Sequence, residues 1–133
     1  MIRGIDHIAI AVKDLDKAVN TFNKLLNMKP SIIEEVSEEG VKVAMYTLGG
    51  IRIELIAPLN EASPLTKFLN KRGEGIHHIA LKVKGIEDVI NSLKSVGFNV
   101  IYEKPKVVGK DKRKITFIHP KNLHGVLVEL VER

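Results

Sequence analysis

The stretches GIDHIAIAV at residues 4–12 and GIHHIALKV at residues 75–83 are one pattern written twice, and reading them together decides how the chain is built. Such self-similarity points to a duplicated unit before any single motif is weighed. Each stretch alternates as a strand does. Ile8, Ile10 and Val12, or Ile79, Leu81 and Val83, share one face, while His7, Ala9 and Ala11, or His78, Ala80 and Lys82, share the other. A helical period follows each copy. Asp14 is placed to cap a helix over 15–26, and a second helix over 86–96 ends at Gly97 as C′. In the first copy come three β-rich runs at 29–35, 41–48 and 51–57, the last two joined through Gly49-Gly50 as a tight hairpin. Runs at 99–102, 114–118 and 126–131 repeat the plan in the second copy. GGIRIELI at 49–56 aligns there with HGVLVELV at 124–131, so Glu129 is the counterpart of Glu54.

The expected architecture is therefore α+β, with two βαβββ modules forming a curved mixed sheet. It is read as a single domain over 1–133, with module 1 at 1–60, module 2 at 75–133 and a linker helix within 61–74. Ser63-Pro64 supplies an N-cap followed by Pro at N1 for that helix, which is expected to run through Leu69, with 71–75 as the connection onward. Residues 104–113, holding Pro105, Gly109 and a concentration of Lys and Arg, are expected to form a mobile basic loop.

Composition narrows the chemistry. With 133 residues, 44% of them hydrophobic, the chain can bury one real core. There is no cysteine, which leaves no disulfide framework and no thiolate metal site, so any bound metal must rely on His and carboxylate ligands. The formal charge of +5 could attract nucleic acid, a membrane surface or a polyphosphate ligand. Only 5% of residues are aromatic and none are interleaved with Lys and Arg, so the stacking platform of a nucleic-acid binder is missing. No run approaches the ~20 apolar residues that span a bilayer, and Met1 leads directly into strand alternation rather than a signal peptide. A cytoplasmic protein without nucleic-acid or membrane partners is expected.

The chemistry-bearing residues fall at matched places in the two copies. Each copy has one His near the start of its first strand and one Glu within its last: His7 and Glu54, then His78 and Glu129. In the last strands Ile51, Ile53 and Leu55, or Val126, Val128 and Leu130, flank the Glu on alternate positions, so its carboxylate stands on the opposite face. Desolvating a carboxylate inside an apolar strand costs several kcal/mol unless it is paired or metal-bound. Taken singly, each Glu could face water and each His could be a satisfied core residue. As a symmetric set, two imidazoles and two carboxylates suit one borderline divalent ion such as Co²⁺, Ni²⁺, Mn²⁺, Fe²⁺ or Zn²⁺. Ala9 and Ala80 would leave the face beside the histidines open for substrate. His77 is expected on the sheet's other face, His124 in an exposed turn, and His119, ahead of Pro120, at a strand end.

Beyond this pattern, the chain resembles the methylmalonyl-CoA epimerase family of the vicinal-oxygen-chelate superfamily. The resemblance is carried by DHIAIAV at 6–12, ELIAPLNEASPLTKFLNKRGEGIHHIALKV at 54–83 and FIHPKNLHGVLVELVE at 117–132. It implies the glyoxalase/bleomycin-resistance-like fold and a metal site at His7, Glu54, His78 and Glu129, with Co²⁺ foremost among the ions. It also implies a homodimer acting on an acyl-CoA, whose C2 centre is epimerised by removal and return of a proton. Lys67, Lys71 and Arg72 are candidate contacts for the CoA phosphates, with solvated surface lysines as the alternative. Some members carry the motif QGVxEAM, whereas this chain reads EGVKVAM at 39–45, with Val43 in place of the Glu. Glu129 is therefore expected as one acid/base group, with Glu54 both ligand and opposite partner. A glyoxalase-type isomerase resembles the chain in the order His, Glu, His, Glu. An extradiol dioxygenase normally leaves positions open for oxygen, and a metal-free ligand-binding protein of the same fold would need no such quartet.

Overall fold

Asp14 starts the first helix as its side chain requires: the backbone there is extended and the carboxylate accepts a hydrogen bond from Lys17 N at 3.1 Å. The computed structural model describes residues 1–133. The strands are β1 (Ile2–Ala11), β2 (Ile32–Val36), β3 (Val41–Leu48), β4 (Ile51–Pro58), β5 (Gly75–Val83), β6 (Lys106–Val108), β7 (Arg113–Ile118) and β8 (Val128–Glu132). The helices are α1 (Leu15–Leu26), α2 (Pro64–Arg72) and α3 (Ile86–Ser95). No helix is long and apolar enough to cross a membrane. Contacts within the chain divide it into one unit of Ile8–His77 and another of Met1–His7 with His78–Arg133.

In the unit of Ile8–His77, β2, β3 and β4 form an antiparallel meander. Leu48 faces Ile51 across Gly49-Gly50, and Gly49 has the positive φ of 61° that a tight turn demands. Leu15, Ala18, Val19, Phe22 and Leu26 make the apolar stripe of α1, and they pack on Val12, Ala44, Tyr46, Leu55 and Ala57. Tyr46 is completely buried, and its hydroxyl is satisfied by the Asn23 side chain at 2.7 Å and the Val19 carbonyl at 3.2 Å. Ser63 Oγ accepts from Leu65 N at 3.2 Å, Pro64 opens α2, and Leu65 and Leu69 bury its inner side. Strand β2 begins at Ile32 rather than residue 29, since Pro30 has no N–H to give a ladder.

The other unit carries the strand order β5, β8, β7, β6. β5 and β8 run parallel, with Ala80 opposite Glu129, while β7 is antiparallel to both β8 and β6, so the sheet is mixed. Ile86, Val89, Ile90 and Leu93 of α3 cover Val83, Ile118 and Leu130. Gly85 cannot cap α3 with a side chain, and Glu132 of β8 does so instead, accepting from Gly85 N at 2.6 Å and Ile86 N at 3.1 Å. Those two backbone donors hold the Glu132 carboxyl below its ordinary 4.5. Because the folded value is depressed, the cap's stabilisation is complete above about pH 4.5 and is lost as the pH falls through the lower folded value. Glu132→Ala is expected to cost about 1 kcal/mol, read as a lower urea midpoint at pH 7 that converges with the parent protein's in acid.

Two expectations for this unit are corrected. Residues 99–102 do not form a strand and make only an isolated bridge between Val100 and Ile118. The Thr116 hydroxyl takes over at Tyr102, donating to Tyr102 O at 2.8 Å and accepting from Tyr102 N at 3.0 Å, so a side chain replaces the ladder. The third strand instead lies inside the supposed loop at 104–113. Val108 is only 1% exposed there, and Lys106 stacks 4.4 Å above the Tyr102 ring. Gly109 has φ 75°, and a Cβ there would run into the Arg113 guanidinium, so this hairpin needs its glycine.

Candidate metal centre

Strand alternation brings three of the expected ligands to one place within the unit of Met1–His7 and His78–Arg133. His7 on β1, His78 on β5 and Glu129 on β8 are all buried. His7 Nε2 lies 3.2 Å from His78 Nε2, and Glu129 Oε1 lies 3.1 Å from each of those nitrogens. Three donor atoms thus form a nearly equilateral triangle. A divalent ion with bonds of about 2.0–2.2 Å to nitrogen and oxygen sets its donors about 2.9 Å apart at right angles and about 3.4 Å apart at the tetrahedral angle. The observed edges fall between those limits, so these residues fit such an ion.

The protons point the same way. His7 Nδ1 donates to Asp6 Oδ2 at 2.6 Å, which in the neutral ring leaves the lone pair on Nε2, one corner of the triangle. His78 packs edge-on against Phe117, with ring centroids 5.7 Å apart, and edge-on against His7 at 5.3 Å. Burial by itself pushes the Glu129 carboxyl up, but contacts with His7 and His78, when their rings are protonated, outweigh that and bring it to about 2. Asp6 behaves alike: burial raises it, while the bonds from His7 and Arg133 bring it well below the usual carboxylate range.

Glu54 belongs to the unit of Ile8–His77, buried on β4 opposite Met45 of β3. Lys67, Lys71 and Arg72 are exposed along α2 in that unit, with the Arg72 guanidinium 5.8 Å from the Phe68 ring. His77 stacks edge-on against the same Phe68 at 4.7 Å. His119 is exposed and caps the 3₁₀ turn Pro120–Leu123, its Nδ1 accepting from Lys121 N at 3.0 Å, and His124 is exposed with a left-handed backbone. Ala80, expected to border open space, is completely buried, as is Ala9. Ala80 sits opposite Glu129 in the parallel pair of β5 and β8. Sequence reasoning did not assign Asp6, Arg133 or Phe117 to the site. Only the adjacency of Asp6 to His7 was a signal for any of them.

The sequence and the fold both have counterparts among known proteins. Residues 6–117 match the family described as the Glyoxalase/Bleomycin resistance protein/Dioxygenase superfamily. The ethylmalonyl-CoA/methylmalonyl-CoA epimerase of Cereibacter sphaeroides is 37% identical over 131 residues, covering 98% of each chain. The crystal structure of methylmalonyl-CoA epimerase from Mycobacterium tuberculosis superposes with a TM-score of 0.91 at 39% identity, covering 98% of this chain and 88% of that one. A methylmalonyl-CoA epimerase solved in complex with methylmalonyl-CoA and NH₄⁺ superposes with a TM-score of 0.90 at 36% identity, covering 99% and 95%. With its α+β fold, its mixed sheet and this extent of identity, the chain belongs to the methylmalonyl-CoA epimerase family of the glyoxalase/bleomycin-resistance superfamily.

Proposed function

We propose that the chain interconverts the two epimers of methylmalonyl-CoA at C2, with one divalent ion held by His7, His78 and Glu129. The convergence of Nε2, Nε2 and Oε1 within 3.2 Å of one another, in a chain of this family, is the observation that supports it. Glu54 is proposed as the fourth ligand, from its equivalence to Glu129 in the duplicated sequence and its burial on β4. Two imidazoles and two carboxylates form a borderline donor set that takes Co²⁺, Ni²⁺, Mn²⁺ or Zn²⁺, and Co²⁺ is placed first among these by the family resemblance. When bound, such an ion supplies Lewis-acid stabilisation of the negative charge that grows on the substrate's thioester oxygen.

The protein's own groups move the proton. Glu129, ionised as a carboxylate that holds a metal must be, offers the group that accepts the C2 proton. Both histidine contacts use Oε1, which leaves the second oxygen outside that contact for the transfer. Glu54, protonated while Glu129 is ionised, delivers its proton to the opposite face of C2 and inverts the centre; Glu129 then releases the abstracted proton to solvent and Glu54 takes one up. Lys67, Lys71 and Arg72 on α2 meet the CoA phosphates as point charges or as a guanidinium fork. The protein is proposed to work as a homodimer in the cytoplasm.

The test is incubation of Co²⁺-reconstituted protein with (2R)- or (2S)-methylmalonyl-CoA in deuterated water. Deuterium at C2 together with formation of the other epimer is expected, and recovery of unlabelled, unconverted substrate would refute the assignment.

A further inference from the structure

Behind His7 lies a chain of charged groups that the proton-transfer scheme does not use. Asp6, which accepts from His7 Nδ1 at 2.6 Å, is also gripped by Arg133. Arg133 Nε donates to Asp6 Oδ1 at 3.1 Å and Nη2 to Asp6 Oδ2 at 2.9 Å, so the guanidinium meets the carboxylate with two parallel bonds. Its third nitrogen, Nη1, donates to Asp111 Oδ2 at 2.6 Å in the turn after β6. Asp111 Oδ1 in turn accepts from the buried Arg113 at 2.7 Å. The guanidinium is thus fixed from both sides, and the plane of the Asp6 carboxylate is fixed by it.

We infer that Arg133 is a positioning residue for the metal centre, holding the Asp6 carboxylate square to His7 so that the imidazole keeps its proton on Nδ1 and aims Nε2 at the ion. The inference rests on the metal reading above. Its physical content is orientation. A carboxylate held at both oxygens cannot swing away from Nδ1, and an imidazole hydrogen-bonded at Nδ1 cannot turn its lone pair out of the triangle. A simple surface ion pair would be different, because it would contribute little stability and nothing to the ligand.

Arg133→Lys isolates that difference, since it keeps the positive charge and removes the two-bond fork. Titration of the chelator-treated protein with Co²⁺ is expected to show roughly a tenfold weaker dissociation constant for Arg133→Lys, with a melting temperature in EDTA close to that of the parent protein. In Arg133→Ala, added methylguanidinium should restore Co²⁺ affinity while methylammonium at equal concentration should not. Unchanged affinity in the Lys variant, or equal rescue by the two cations, would overturn the inference while leaving the metal site standing. Failure of the parent protein itself to take up Co²⁺ would instead remove the metal reading, and this inference with it.

Discussion

Glu129→Gln, in protein whose cobalt content is verified, is expected to abolish the appearance of solvent deuterium at C2 and to lower turnover by roughly a thousandfold. The amide keeps the shape of the side chain and still offers an oxygen toward His7 and His78, but it has no site for an abstracted proton. The loss should therefore fall on the catalytic rate, with KM for the thioester little changed. Mass spectrometry of substrate recovered from deuterated buffer gives the answer directly, and full exchange in the variant would take the base role away from Glu129.

His78→Ala removes one corner of a triangle whose edges are 3.1–3.2 Å. Cobalt affinity should fall by a hundredfold or more, about 2.7 kcal/mol. The empty position leaves only His7 Nε2 and Glu129 Oε1 of the three converging atoms in this unit. Affinity in the parent protein should also weaken on acidification, because protons compete with the ion for ligands that bind it deprotonated. Calorimetric titration of chelator-treated protein at two pH values measures both effects. A variant that binds as tightly as its parent would show that His78 is not a ligand.

Much of this was legible in the sequence because it was local or repeated. Asp14, the Ser63-Pro64 pair and Gly49-Gly50 act on their immediate neighbours, and each performs the role its chemistry implies. His7, His78 and Glu129 could be paired from the duplication alone, since matched positions in matched strands point to matched faces. What could not be read depends on contacts distant in sequence. Nothing near Gly85 announces that Glu132, across the unit, will cap α3. Strand alternation sends Asp6 to the face opposite His7, yet its carboxylate reaches Nδ1 and is itself held by Arg133. The displacement of the third strand from 99–102 to Lys106–Val108 has the same origin: one threonine hydroxyl competes with a backbone ladder, and no propensity scale ranks that competition.

The most direct measurement is anomalous diffraction at the cobalt edge from crystals of the reconstituted protein. One peak within about 2.2 Å of His7 Nε2, His78 Nε2 and Glu129 Oε1 is the predicted result. A map with no peak among those three atoms, or with the ion bound at other side chains, would contradict it.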